Sequence, residues 1–307
     1  MTVLASVAAR PKSILFATDF SSSSEKTVQH ALAIARHYRS RFCMAHVISS
    51  VGFAIAGPEA VETATEAAWR DAARWENRLA ESGAFGAIPH KAFILRGKIW
   101  DELERVIQQE QIDLIVIATH GRRGLKKMVL GSVAEEIYRR ASCPVLTVGP
   151  YASDTPAPED TLPGPLLFAT DFGEASGHAF PYAVTFANEY RVPLILLHVV
   201  PEVPLPEGPH WHMAGDIMRL RENARAVTLE RLHKMASECS LIYASQSRVE
   251  FGLPSEQIVK TADEVDAAGI ILGVKRARYA GVASHTPWHT ATEVVGTAMC
   301  PVLTLKS

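Results

Sequence analysis

The sequence is short of several things that would each point to a function. Cysteine is scarce: Cys43, Cys143, Cys239 and Cys300 lie far apart among 307 residues, with no CxxC pair. That spacing suggests neither a zinc site nor a disulfide framework, and reduced, mostly buried thiols are expected. Charge of one sign is lacking too. The 31 basic and 33 acidic residues leave a formal net charge of -2, without the basic surplus that phosphate-backbone binding needs, so nucleic acid is not an expected partner. Long apolar runs are missing, because His, Asp or Pro cuts the apolar stretches well short of the roughly 18 residues a membrane helix requires. At the amino end, MTVLASVAARPKS, the basic Arg10 and Lys12 follow the short apolar stretch. That is the wrong order for a secretory signal, and a cytoplasmic protein is expected. Finally, there is no GxxxxGK(S/T) loop with its phosphate-gripping lysine, and no acidic pair presents itself as a magnesium site. An ATPase or nucleotidyl transferase is therefore disfavoured, and no enzyme is expected.

What the sequence does contain is itself, twice. Lys12 to Phe20 reads KSILFATDF and Gly164 to Phe172 reads GPLLFATDF; Cys143 to Thr147 and Cys300 to Thr304 both read CPVLT. Between these bookends each half has an apolar strand closing on a histidine (His46, His198), a long helical stretch, and another apolar strand (residues 114 to 118 and 270 to 274). Short apolar runs alternating with amphipathic segments are the sequence form of βαβ units: an α/β fold with a parallel sheet covered by helices on both faces. The residues GPYASDTPAPEDTLPGP from Gly149 to Pro165 can neither continue a helix nor join a central strand. The expected organisation is a domain at 1–150, a linker at 151–163 and a second domain at 164–307.

In a doubly wound sheet ligands bind beyond the carboxyl ends of the strands, where the strand order reverses. Asp19 and Asp171 close the first strand of each half. A carboxylate there can accept from a ribose or an adenine amine, or simply cap the following turn. Ser22 and Glu25 have capping-box spacing, so the SSSS run reads as a helix start. After the fourth strand of the first half comes ATHGRRGLKKMVLGSVAEEI, residues 118 to 137. Glycine allows close backbone approach to a phosphate, and Gly131-Ser132 opens a helix whose free N–H groups favour an anion. Ser132 and Glu135 also have capping-box spacing, which would account for the serine without a ligand.

Taken together, the first-strand Asp, the histidine-valine of the second strand, the G-x2-G-x9-G-(S/T) loop and the CPVL strand resemble the universal stress protein family. The resemblance covers nearly the whole chain twice and implies a tandem member with a five-stranded, Rossmann-like parallel sheet of the adenine nucleotide alpha hydrolase type in each half. It implies ATP, with or without Mg2+, as the ligand. It assigns Asp19 and Val47 to adenine and ribose, and Gly121, Gly131, Ser132 and Val133 to phosphates and ribose. The family's first loop glycine falls at Ala118, where weakened binding is expected, since alanine is penalised wherever a positive φ is needed. Arg122, Arg123, Lys126 and Lys127 either screen phosphate charge or form a solvated face. The resemblance also pairs domains through their last strands, here Val145 to Val148 with Val302 to Leu305, and allows the whole chain to form a homodimer.

The second half departs from the pattern. Trp288 stands where the first half has Gly131 and His289 where it has Ser132, Arg276 replaces the second loop glycine, and Gly273 keeps the first. The indole is expected to fill the phosphate space and Pro287 to stiffen the approach, so nucleotide is expected in the N-terminal half alone. His285 and His289 are four apart, but Pro287 between them argues against a regular helix; His210 and His212 sit in a Pro-rich stretch. No carboxylate or cysteine at ligand spacing completes either pair, so no metal site is expected. His46 and His198 read as satisfied structural histidines. The expected function is regulatory adenine-nucleotide binding in a stress response, against an adaptor with two vestigial sites or a slow ATPase.

Overall fold

A computed structural model describes residues 10–49, 57–119, 131–152, 162–202, 214–275 and 287–307. The first half runs β1 (Ser13–Ala17), α1 (Ser22–Tyr38), β2 (Arg41–Ser49), α2 (Pro58–Glu81), β3 (His90–Gly97), α3 (Ile99–Gln109), β4 (Leu114–Ala118), α4 (Ser132–Arg140) and β5 (Val145–Val148). The second repeats it: β6 (Leu166–Ala169), α5 (Glu174–Glu189), β7 (Leu194–Val200), α6 (Ala214–Ser237), β8 (Ser245–Phe251), α7 (Pro254–Glu264), β9 (Gly269–Val274), α8 (Pro287–Thr297) and β10 (Val302–Lys306). Duplication extends to backbone conformation. Phe20, Arg39 and Gln111 have φ of 58, 54 and 50°, and their counterparts Phe172, Arg191 and Asp266 have 57, 57 and 48°.

The inner strands are apolar almost throughout, as strands buried on both faces must be; all four residues of β5 and of β6 are buried. Strand order is β3-β2-β1-β4-β5-β10-β9-β6-β7-β8, with every neighbour parallel except β5 and β10. The two expected five-stranded sheets are therefore one continuous sheet of ten, joined by the terminal strands: Val302 opposes Thr147, Leu303 opposes Leu146 and Thr304 opposes Val145. Apolar side chains of α1, α2, α5 and α6 pack on one face of it and those of α3, α4, α7 and α8 on the other. Each hydrophobic layer runs through both halves.

Two local expectations need correction. The box placed at Ser22 and Glu25 is shifted by one: Ser21 is the N-cap of α1, its side chain accepting from the Ser24 N–H. The cause is Asp19, whose Oδ1 accepts the Ser21 N–H at 3.0 Å and holds that residue extended, outside the helix. Glu25 pairs instead with Arg78 of α2 at 2.9 Å. Nor do the histidines end their strands. Val47, Ile48 and Ser49 continue to pair with β3 after His46, and Val199 and Val200 with β8 after His198.

Candidate site at the carboxyl ends of β1 and β4

The chain turns outward from β1 to β2 and β3 on one side, and from β4 to β5 on the other, so strand order reverses between β1 and β4. A crevice beyond the carboxyl ends of these two strands is where such a sheet offers a ligand site. Asp19 follows β1 by two residues. Its Oδ1 accepts from the Ser21 N–H and, at 2.9 Å, from the Ser24 hydroxyl, so the capping role and the position at the crevice belong to one half-buried carboxylate. Behind it, the His46 ring tilts against Phe20 with centroids 4.8 Å apart, and His46 Nδ1 lies 2.8 Å from the Thr18 carbonyl oxygen. A carbonyl can only accept, so Nδ1 donates and the ring is fixed. In the second half His198 repeats this bond to Thr170 at 2.7 Å.

Val47, half-buried in β2, lies on the outer flank of the same strand ends, two residues past the Ala17–Ala45 pair. Ala118 closes β4 opposite Val148, and its φ is not positive, so alanine meets no backbone penalty there. Thr119 then receives the returning chain: its carbonyl accepts the Gly131 N–H at 2.9 Å. This bond sets Gly131 directly beside the end of β4, and hence beside the strand that leads to Asp19.

Gly131 is itself the N-cap of α4, and among the described residues no side chain caps the helix, so the box that the Ser132–Glu135 spacing allowed is not formed. Ser132 is the first helical residue, one place too late to cap. Glu135 forms a long 3.9 Å pair with Arg139 across one turn. The first N–H groups of α4 have no intrahelical partner, and the positive end of its dipole is left for whatever meets it. Ser132 and Val133 are exposed at this end. Gly121 and the basic residues Arg122, Arg123, Lys126 and Lys127 lie outside the described residues.

The second half differs at both walls. Gly273, the counterpart of Ala118, was expected to serve a loop. A Cβ there would sit 2.2 Å from the Ala175 carbonyl oxygen and 2.5 Å from the Ser176 nitrogen, both backbone atoms. Its glycine is demanded by the first turn of α5 seated on β9, whereas the first half has room for a methyl group. On the other wall Pro287 opens α8 instead of breaking it. With Ala298 aligned to Ala141, α8 starts ahead of the place where Gly131 caps α4, so helix replaces the open cap. The side chains of Pro287 and Trp288, with Arg276, His285, His210 and His212, lie outside the described residues. His289 is exposed and pairs with Glu293 at 3.1 Å.

Asp171 keeps the turn, accepting from the Gly173 N–H at 2.8 Å and the Ser176 hydroxyl at 2.7 Å. Burial raises its pKa, but the bonds from Ser176 and Gly173 and the nearby Lys275 charge outweigh that and hold the carboxyl below its usual range. The thiols behave otherwise. Burial pushes Cys143 and Cys300 up to about 12, so both are protonated at neutral pH, and the four cysteines are free.

Sequence reasoning missed two features of the site: the serine hydroxyls bound to Asp19 and Asp171, and the backbone contact that imposes Gly273. The first had a signal, a serine five residues after the aspartate in both halves.

The model of the universal stress protein family matches residues 11–149 and again 164–306. The chain is similar to universal stress protein MJ0531 of Methanocaldococcus jannaschii, 30% identical over 45% of this chain and 81% of that protein. It is similar to a Thermus aquaticus universal stress protein, 30% identical over 45% of this chain and 98% of the relative. Among solved structures, a universal stress protein from Archaeoglobus fulgidus shares the fold over 96% of both chains, at a TM-score of 0.66 and 18% identity.

Proposed function

The chain belongs to the universal stress protein family, and on that footing we propose that its N-terminal half binds an adenine nucleotide, ATP or a close relative, as a regulatory ligand. The observation that carries this reading is the uncapped start of α4 held against the end of β4 by the Gly131–Thr119 bond, one strand from the Asp19 turn. In this reading Asp19 and Val47 face adenine and ribose. Backbone N–H groups of Ser132 and Val133 and the Ser132 hydroxyl meet the phosphates, with Gly131 and Gly121 giving the chain its close approach and Ala118 at the strand end. Helix N–H groups and the helix dipole suffice for an anion without a lysine clamp. Regulation requires only that nucleotide bind one conformation or assembly better than another. No bond need be made or broken.

The second half supports no such reading. There the first turn of α5 lies against Gly273 and α8 begins early, so one nucleotide per chain is expected. The test is calorimetric titration of the purified, nucleotide-stripped chain with ATP, alongside ion-exchange analysis of what denatured protein releases. Binding at one equivalent, weakened in Ser132→Ala, is the expected result. No heat and no released nucleotide would mean an adaptor with vestigial sites, and steady-state turnover with magnesium would mean an enzyme.

A further inference from the structure

A cavity of about 220 Å³ lies at the seam of the two halves, on the opposite side of the molecule's logic from the nucleotide crevice and sharing none of its residues. Its floor is the central sheet, with Leu146 of β5 and Leu303 of β10 side by side. One wall is α1, through Ala33 and Ile34; the other is α5, through Phe186 and Tyr190. We propose that this cavity is a binding site for a small, uncharged, largely apolar molecule.

The reason it exists is topological. Strands β5 and β10 end their halves, and the helices nearest them on this face, α1 and α5, belong to the crossovers after β1 and β6. Neither helix is centred on the seam. They are also prevented from closing over it, because their carboxyl ends meet through rings: His37 stacks on Tyr190 with centroids 4.2 Å apart, and Tyr38 stands edge-on to Tyr190 at 6.1 Å. This aromatic layer props the helices apart above the sheet.

Size and chemistry then select the occupant. Protein interiors rarely leave voids larger than a water molecule, and water gains little where most of the wall offers it no hydrogen bond. A dry cavity of about 150 Å³ lined by Leu, Ile and Phe takes benzene or xenon. This larger one has room for a substituted ring or a small bicycle, and not for a folded peptide. Its rim carries Met299, 51% exposed. An unbranched thioether at a mouth can rearrange around different apolar shapes. Because the walls come from both halves, an occupant would bridge them and stiffen the seam.

The probe is indole, titrated into the full chain carrying labelled methionine methyl groups, with the Met299 resonance assigned through Met299→Leu. A saturable shift of that resonance is expected, together with a higher melting temperature, as follows for any ligand that binds only the folded state. Ala33→Phe fills the cavity from α1 and should weaken indole binding by about tenfold or more, which is about 1.4 kcal/mol. Absence of a saturable Met299 shift up to the solubility of indole would overturn the proposal, as would equal binding by a folded Ala33→Phe. Should that variant not fold, the wild-type titration decides alone. Failure here leaves ATP binding untouched, and ATP binding can fail while indole binds.

Discussion

Leu146 of β5 stands directly opposite Leu303 of β10, and the two are the same residue of the repeated CPVLT segment. Equivalent residues can face each other in an antiparallel pair only on a twofold axis. The pairs on either side, Thr147 with Val302 and Val145 with Thr304, repeat the relation in mirrored order. The chain is thus a covalent version of an isologous dimer.

The seam is intramolecular, so the unfolding midpoint should not move over roughly a hundredfold range of protein concentration, unlike that of a folded dimer. Leu303→Ala should cost about 2 to 5 kcal/mol, toward the lower end because Leu303 already borders a cavity. Urea titrations at several concentrations measure both.

The two serines at helix starts should separate cleanly. Ser21 caps α1, and Ser21→Ala is expected to lose about 1 kcal/mol of stability. Ser132 caps nothing, so Ser132→Ala should stay within about 0.5 kcal/mol of the parent while losing ATP affinity. Equal stability losses would restore the capping explanation for Ser132.

Gly273→Ala sets a methyl group against backbone of α5 and is expected to destabilise by about 1 to 3 kcal/mol or more. The converse change, Ala118→Gly, relieves no clash and should cost no more than about 1 kcal/mol. Thermal melts of the two variants give the comparison; an indifferent Gly273→Ala would mean that α5 does not rest on β9.

Asp171 has a folded pKa below the ordinary aspartate value of 3.8. Its ionised form therefore contributes stability fully above that value, and the contribution is lost as pH falls through the lower folded pKa. Asp171→Asn should be less stable than the parent at neutral pH, with the gap narrowing below about pH 4. The carboxylate is exposed to solvent, which keeps the effect small. Melting curves from pH 3 to 7, about the carboxylate range, show whether the gap closes.

Much of the architecture was legible in the residues, because buried parallel strands must be apolar runs and a duplicated run is hard to mistake. KSILFATDF and GPLLFATDF located β1 and β6, and the two CPVLT segments located the strands that join the halves. Capping was legible only approximately: spacing alone could not tell Ser21 from Ser22, since the choice is made by Asp19 pulling the chain into a turn. His46 looked like a strand end because its polar ring interrupts the apolar run, yet β2 keeps pairing with β3 beyond it. The role of Gly273 could not be read at all. A glycine required by a helix from a distant segment leaves no local mark, and a cavity between two helices leaves even less.

The antiparallel join also fixes partnership for the life of the molecule. Separate subunits can trade places, so a population of pairs would mix the two kinds of half in every combination. Here each N-terminal half is born beside one divergent companion and cannot exchange it. The sheet's outer strands, β3 with Lys91 and Arg96 and β8 with Arg248 and Glu250, carry the kind of charge that discourages another strand from adding on. Composition is thereby set by translation, and no change in concentration alters it.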